Sequence, residues 1–124
     1  MWQVRQFHLL AILLFSLFSS SARADITHIV LVWMNESAPS GALQNMIEQG
    51  GKLSAIAGVS DLHIGPPLAS ERPVVDDSFA LGITMRFPSK AVMEAYLADS
   101  HHSAYVADYI APYARKLVVY DIEH

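Results

Sequence analysis

The chain has 124 residues, of which 52% are hydrophobic and 16% are charged, and it contains no cysteine. Twelve acidic residues outnumber eight basic ones, and the basic residues are scattered rather than clustered. Such a chain lacks the charges that neutralise phosphates, which argues against nucleic-acid binding. Without disulfides, a domain of this size is held together by packing alone, and small domains of this kind often gain stability by forming oligomers.

The first 24 residues have the pattern of a secretory signal peptide. Arg5 precedes an apolar run over Leu9–Phe18, and Ala22-Arg23-Ala24 matches a small-x-small cleavage site. The apolar run is too short to span a bilayer, which takes about 20 residues. We therefore predict cleavage after Ala24, a mature domain of residues 25–124, and a periplasmic or secreted location without membrane contact. The alternative is an uncleaved membrane anchor.

Hydrophobic periodicity predicts the first half of the mature domain as strand, helix and strand. Thr27–Met34 is apolar at successive positions, which is typical of a central strand covered on both faces. A helical pattern opens at Pro39-Ser40. The adjacent glycines Gly50-Gly51 predict a bend or break in it, because each costs about 1 kcal/mol in a helix interior. Val59–Gly65 is predicted as the second strand.

The second half is predicted as strand, split helix and strand. Pro66–Asp77 is a long connection with three prolines, and Ser78–Phe87 then alternates large apolar residues with small or polar ones, as a strand does. Ser89–Leu97 is a predicted helix with a serine N-cap, and Ser100–Pro112 is a second helical stretch that opens on a serine cap and ends at the proline. Lys116–Ile122 is the predicted last strand.

The element order β-α-β-β-α-β favours an α+β, ferredoxin-like sheet with both helices on one face. The opposite face would carry Leu31, Trp33 and the small residues of the third strand. An uncovered apolar sheet face of this size is usually buried against a partner. We therefore predict a homodimer through the open sheet face, with two sheets packed into a dimeric α/β barrel.

Five pieces of the chain resemble the stress-responsive dimeric α/β barrel domain family. They are T-H-I-V-L-V at 27–32, I-A-G-V at 56–59, F-P-S-K-A-V-M-E-A-Y-L at 87–97, His102, and V-V-Y-D at 118–121. The resemblance covers nearly all of residues 25–124 and rests on the order and spacing of the pieces. Ala57 and Ser100 depart from it, since the family usually has proline at both positions.

The resemblance implies a site built on Tyr96 and His102. In one plant member, a polyketide cyclase that closes an aromatic ring by aldol condensation, a tyrosine and a histidine six residues apart do the chemistry. On this analogy His102 is the general base and Tyr96 donates a hydrogen bond to the developing oxyanion. His28 would line the pocket, which would bind a small apolar or aromatic molecule. The predicted apolar walls are Val30, Val32, Leu81, Ile83, Leu97, Tyr105 and Val106.

Each of these residues also has a structural interpretation. Tyr96 could be a core residue with its hydroxyl at the surface, His102 could stabilise the helix break, and His28 could be a strand-end histidine with its hydrogen bonds satisfied. A metal site is not expected, because the histidine spacing matches no metal motif. No cofactor is expected either. Two other functions stay open: a non-catalytic, stress-related assembly protein, and a cofactor-free monooxygenase or haem-handling protein.

Overall fold

The computed structural model describes residues 24–124, so the predicted signal peptide, apart from its last residue, lies outside the described part of the chain. The regular elements are β1 (Ile26–Met34), α1 (Ala42–Gly50), β2 (Ser60–Gly65), β3 (Leu81–Phe87), α2 (Lys90–Ala98), α3 (Ser100–Tyr105) and β4 (Ala114–Glu123). Within these residues, none of the helices combines the length and the apolar character that a membrane crossing requires.

The four strands form one antiparallel sheet in the order β2-β3-β1-β4. The central strand β1 pairs on one side with β3, where Val30 lies opposite Ile83, and on the other side with β4, where Val30 lies opposite Val119. The helices cover one face of this sheet. The predicted α+β, ferredoxin-like fold is confirmed.

Local sequence signals account for three of the helix boundaries. At Gly50 and Gly51 the α-helix gives way to a 3-10 turn, so the predicted interruption is a break in the α-helix. Ser89 caps α2 by accepting a hydrogen bond from the backbone of Val92 at 3.2 Å. The predicted cap at Ser100 is wrong, because the carboxylate of the preceding Asp99 accepts the hydrogen bond of the first turn instead.

Strand β3 supplies the centre of the core. Its residues Leu81, Ile83, Met85 and Phe87 all face the helices and are at most 3% exposed. They pack with Met46 from α1, Leu53 from the 3-10 turn, Tyr96 from α2 and Tyr105 from α3. The strand begins three residues later than predicted. Ala80 still donates to the Val32 carbonyl at 2.8 Å, but Ser78 and Phe79 contact Trp33 on the opposite face of the sheet.

That opposite face is less bare than the sequence suggests. Trp33 lies on it, as predicted, but is only 7% exposed. Its indole nitrogen donates to the Ser78 hydroxyl at 3.0 Å, the Phe79 ring meets it edge-on at 6.3 Å, and the Lys116 ammonium lies 4.5 Å from its ring centre. The expectation that Trp33 would be uncovered is wrong, since the β2–β3 connection folds over it.

Gly50 allows close contact between α1 and α3. A Cβ atom at this position would lie 2.7 Å from the Tyr105 hydroxyl oxygen and would collide with Ile64. The same hydroxyl donates to the backbone carbonyl of Met46 at 2.8 Å, so it has little freedom to move. We expect Gly50→Ala to lower the free energy of unfolding by about 1–3 kcal/mol, as overpacking does, when it is measured by urea denaturation.

Gly51 provides the matched control for this prediction. It follows directly in the chain, has right-handed helical backbone angles, and has no atom within 4 Å of the Cβ position. Gly51→Ala should be neutral or stabilising by about 0.5–1 kcal/mol, because alanine restricts the unfolded chain. Equal effects of the two substitutions would contradict the close-contact explanation.

Candidate functional site

A cavity of about 240 Å³ lies between the helix-facing side of the sheet and the α2–α3 segment. Its walls are mostly aliphatic. They are formed by His28, Val30, Leu53, Ile83, Met85, Tyr96, Leu97, His102, Tyr105, Val106, Ile110, Leu117 and Val119. Because the Tyr105 hydroxyl is committed to Met46, the polar side-chain groups left for a ligand are those of His28, Tyr96 and His102.

Tyr96 is the most deeply buried of the three. Only 2% of it is exposed, and its ring lies 4.9 Å from the ring centre of Phe87 and 4.7 Å from that of His102. Burial raises the pKa of its phenol to about 12, so the hydroxyl stays protonated at neutral pH. The alternative that places its hydroxyl at the surface does not fit a side chain so deeply buried.

His102 lies near the start of α3 and faces the Tyr96 ring. Its Nδ1 atom is 3.2 Å from the backbone carbonyl of Leu97. A carbonyl oxygen can only accept, so Nδ1 carries the proton and Nε2 of the neutral ring keeps its lone pair. Burial lowers the pKa of His102, and the Leu97 carbonyl partly opposes this shift. The ring therefore stabilises the helix break, as the structural interpretation proposed, and also has a proton-accepting nitrogen.

His28 is held by a residue that the sequence did not suggest. It lies opposite Asp121 in the pairing of β1 with β4, and its Nδ1 atom is 2.5 Å from the carboxylate. The carboxylate accepts the Nδ1 proton, so one nitrogen of the 4%-exposed ring is satisfied and Nε2 is left over. His28 is therefore a strand histidine with a satisfied hydrogen bond at Nδ1 only. Its Nε2 has no partner, and the residue lines the cavity.

The unpaired polar groups have access to the cavity space. Within residues 24–124, neither the Tyr96 hydroxyl nor His28 Nε2 has a hydrogen-bond partner. The one side-chain nitrogen or oxygen of these residues that is both unpaired and sealed from solvent is Arg86 Nε. The Tyr96 hydroxyl and His28 Nε2 are therefore unpaired but not sealed. Since both groups belong to residues that line the cavity, a ligand there can bind them. In the same part of the chain, no three His, Asp or Glu side chains converge to hold a metal ion.

Most of the predicted walls line the cavity, and two do not. Val30, Ile83, Leu97, Tyr105 and Val106 lie where they were predicted. Val32 and Leu81, which pair across β1 and β3, are completely buried in the core and have no surface on the cavity. They share the helix-facing side of the sheet with the true wall residues, but they belong to the buried core cluster instead.

The sequence missed six residues of the site. Asp121 and two wall residues, Leu117 and Val119, all come from β4, whose inward face depends on a register that the consecutive apolar residues 117–119 do not reveal. The alternation of Leu117, Val119 and Asp121 was a usable signal only once that register was known. The other three are Leu53, Met85 and Ile110.

The sequence matches a known protein family over almost the whole described chain. The family model described as Stress Responsive A/B Barrel Domain matches residues 26–124. No curated protein matches the sequence.

Several solved structures share the fold. A Dabb family protein from Mesorhizobium loti, described as ferredoxin-like, is 25% identical over 81% of this chain and 96% of its own, with a TM-score of 0.66. A dimeric ferredoxin-like protein of unknown function from Thermobifida fusca is 20% identical over 83% and 93%, with a TM-score of 0.70. The hydroxynitrile lyase of Passiflora edulis is 19% identical over 81% and 93%, with a TM-score of 0.70.

The lowered pKa of His102 predicts a pH-dependent stability. In the unfolded chain this ring titrates near 6.5, so between its lowered folded pKa and about 6.5 the unfolded state binds more protons. His102 should therefore make stability rise with pH across this window and contribute nothing further above it. NMR titration of the ring should show a lower pKa in the folded protein than in urea. An equal or higher folded value would contradict the burial described above.

The Asp121 carboxylate should fix the tautomer of His28. In Asp121→Asn the charge-assisted bond is lost, and we expect the neutral ring to populate both tautomers, with a loss of about 1 kcal/mol in stability because the carboxylate is partly exposed. Long-range proton–nitrogen NMR measures the tautomer directly. Asp108→Asn, which removes an exposed carboxylate of the turn after α3, should leave it unchanged. A His28 tautomer population unaltered in Asp121→Asn would refute the assignment.

Proposed function

Because the chain belongs to the stress responsive A/B barrel domain family, whose fold it has, we propose that its cavity binds a small, uncharged organic molecule and moves a proton on it. The observation that carries this proposal is the convergence of three unsatisfied polar groups on one apolar cavity: the Tyr96 hydroxyl and one nitrogen each of His28 and His102. In a sealed core such groups would be paired, whereas here they are left unpaired at a cavity that a ligand can enter.

His102 is the proposed general base. Its neutral ring accepts a proton from the carbon next to a carbonyl group, the C–H bond breaks, and its electron pair moves onto the carbonyl oxygen. The lowered pKa keeps the ring neutral and ready to accept at neutral pH, at some cost in basicity. Return of the proton to another atom of the substrate restores the ring, so that atoms and charge balance over the cycle.

Tyr96 is the proposed hydrogen-bond donor to the developing oxyanion. With a pKa of about 12 it remains a donor throughout, and its hydroxyl has no competing partner in the described chain. A donor already oriented in an apolar site stabilises charge that develops in the transition state, and such donors commonly account for 10²–10³-fold in rate. His28, oriented by Asp121, would bind a second oxygen of the substrate.

The lining of the cavity favours an uncharged substrate. It contains no lysine, arginine or acidic side chain, so the charge of a phosphate or carboxylate would be left without a counter-charge. Its volume of about 240 Å³ corresponds to roughly eight water volumes, enough for an aromatic ring with a short substituent. The similarity in fold to a hydroxynitrile lyase supports lyase-type or cyclase-type acid–base chemistry on a molecule of this kind.

We also propose that the chain works outside the cytoplasm as a homodimer. Export follows from the signal-peptide pattern of residues 1–24, with the periplasm or the medium as destination. The homodimer would form through the open sheet face, where Tyr120 and Ile122 are 56% and 50% exposed beside the half-buried Ile29 and Leu31. The dimeric relative of the same fold supports this assembly.

Proton abstraction can be tested without knowing the natural substrate. In deuterium oxide, small aromatic and aliphatic ketones should exchange their α-protons in the presence of the protein, as followed by proton NMR. His102→Ala should reduce this exchange about 100-fold or more, as loss of a general base does. Tyr96→Phe should reduce it to a similar degree, because the oxyanion loses its donor.

The adjacent histidine supplies the control. His101 lies one residue away, and its side chain is 84% exposed. The His101→Ala protein should therefore exchange the α-protons of ketones at the wild-type rate. Full exchange by His102→Ala would rule out the base assignment. If no ketone shifts the NMR signals of the cavity residues, the non-catalytic assembly protein becomes the better description.

A further inference from the structure

The connection between β2 and β3, residues 66–80, is an ordered arm rather than a loose loop. Asp77 accepts a hydrogen bond from the backbone of Ser70 at 2.9 Å, which ties the two halves of the arm together. Between them, the Ser70 hydroxyl accepts from the backbone of Arg72, whose carbonyl in turn accepts from Val75. The arm therefore has a defined shape in the single chain.

The carboxyl-terminal end of the arm lies on the open face of the sheet. Phe79 packs against Trp33 and close to Gly82, where a Cβ atom would lie 3.3 Å from the Phe79 ring and 3.7 Å from Leu31. The Ser78 hydroxyl accepts from Trp33 and donates to Asp76 at 2.5 Å. These contacts make the arm continuous with the face through which the homodimer is proposed to form.

The arm also presents the two most exposed large apolar side chains of the described residues. Leu68 is 89% exposed and Val74 is 82% exposed. Single exposed aliphatic residues are common and carry little information. Here, however, both belong to one hydrogen-bonded segment beside an apolar face, so their exposure in the single chain is not the result of local disorder. An ordered segment also loses little conformational entropy when it is buried.

The two side chains are large enough to matter in an interface of ordinary size. A stable interface buries about 800 Å² on each partner. Leu68 and Val74 would each bury roughly 100 Å² of mostly apolar surface against a partner, and burial of apolar surface is the main favourable contribution to association.

We infer that Leu68 and Val74 pack against a second copy of the chain and extend the interface beyond the sheet. The inference rests on the homodimer of the proposed function, and it adds to that homodimer a pair of contacts outside the sheet. By two-fold symmetry each arm would contact the other protomer, so one interface would gain both pairs of side chains.

The test compares dimer dissociation constants by sedimentation velocity over a range of concentrations of the purified chain. Leu68→Asp combined with Val74→Asp should raise the dissociation constant about 100-fold or more, because two buried aliphatic groups are lost and two charges meet an apolar surface. Both side chains are solvated in the single chain, so the far-ultraviolet circular dichroism of the monomer should not change.

Two further variants separate the arm from the sheet. Ala91→Asp combined with Ala95→Asp places the same charges on the exposed side of α2 and should leave the dissociation constant within threefold of the wild type. Tyr120→Asp should weaken the dimer through the sheet face. If Tyr120→Asp dissociates the dimer while the arm variant does not, the arm inference is wrong and the proposed homodimer stands. If the wild-type chain is monomeric at all concentrations, both are wrong.

Discussion

The site depends on how far the helical layer extends across the sheet. On the helix-facing side, the residues of β3 are at most 3% exposed, whereas Leu117 and Val119 on the edge strand β4 are still 50% and 43% exposed. The helical layer therefore seals β3 from solvent and leaves β4 at the edge of the sheet partly exposed. The cavity is the space that remains at this boundary, with walls from both the covered and the uncovered strands.

Burial at this boundary gives two neighbouring rings complementary roles. Removal from water disfavours the charged form of each, so it raises the pKa of the Tyr96 phenol and lowers that of the His102 imidazole. The phenol thus stays a donor and the imidazole an acceptor over the same pH range. His28 differs because Asp121 lies against it, and this contact sets its orientation rather than leaving it to burial alone.

Short-range signals in the sequence predict the parts of this structure that depend on neighbouring residues. The glycine pair predicts the break after α1, Ser89 predicts the start of α2, and the alternation in β3 predicts its buried face. Tyr96 and His102 are close in the chain, and the family resemblance indicates both. Asp121 lies 93 residues from His28, and only the strand register brings them together. Likewise, no local pattern indicates that residues 78 and 79 fold back over Trp33.

Strand β4 connects the two faces of the sheet. Leu117 and Val119 line the cavity and Asp121 contacts His28 on the same side of the sheet, while Tyr120 and Ile122 alternate with them on the open face. As an edge strand it is paired along one side alone, so in the single chain its position is fixed by β1 and by few side-chain contacts. A second copy packed on Tyr120 and Ile122 would hold β4 from outside and, with it, the carboxylate that orients His28. The proposed dimer and the geometry of the site would then both depend on the position of β4.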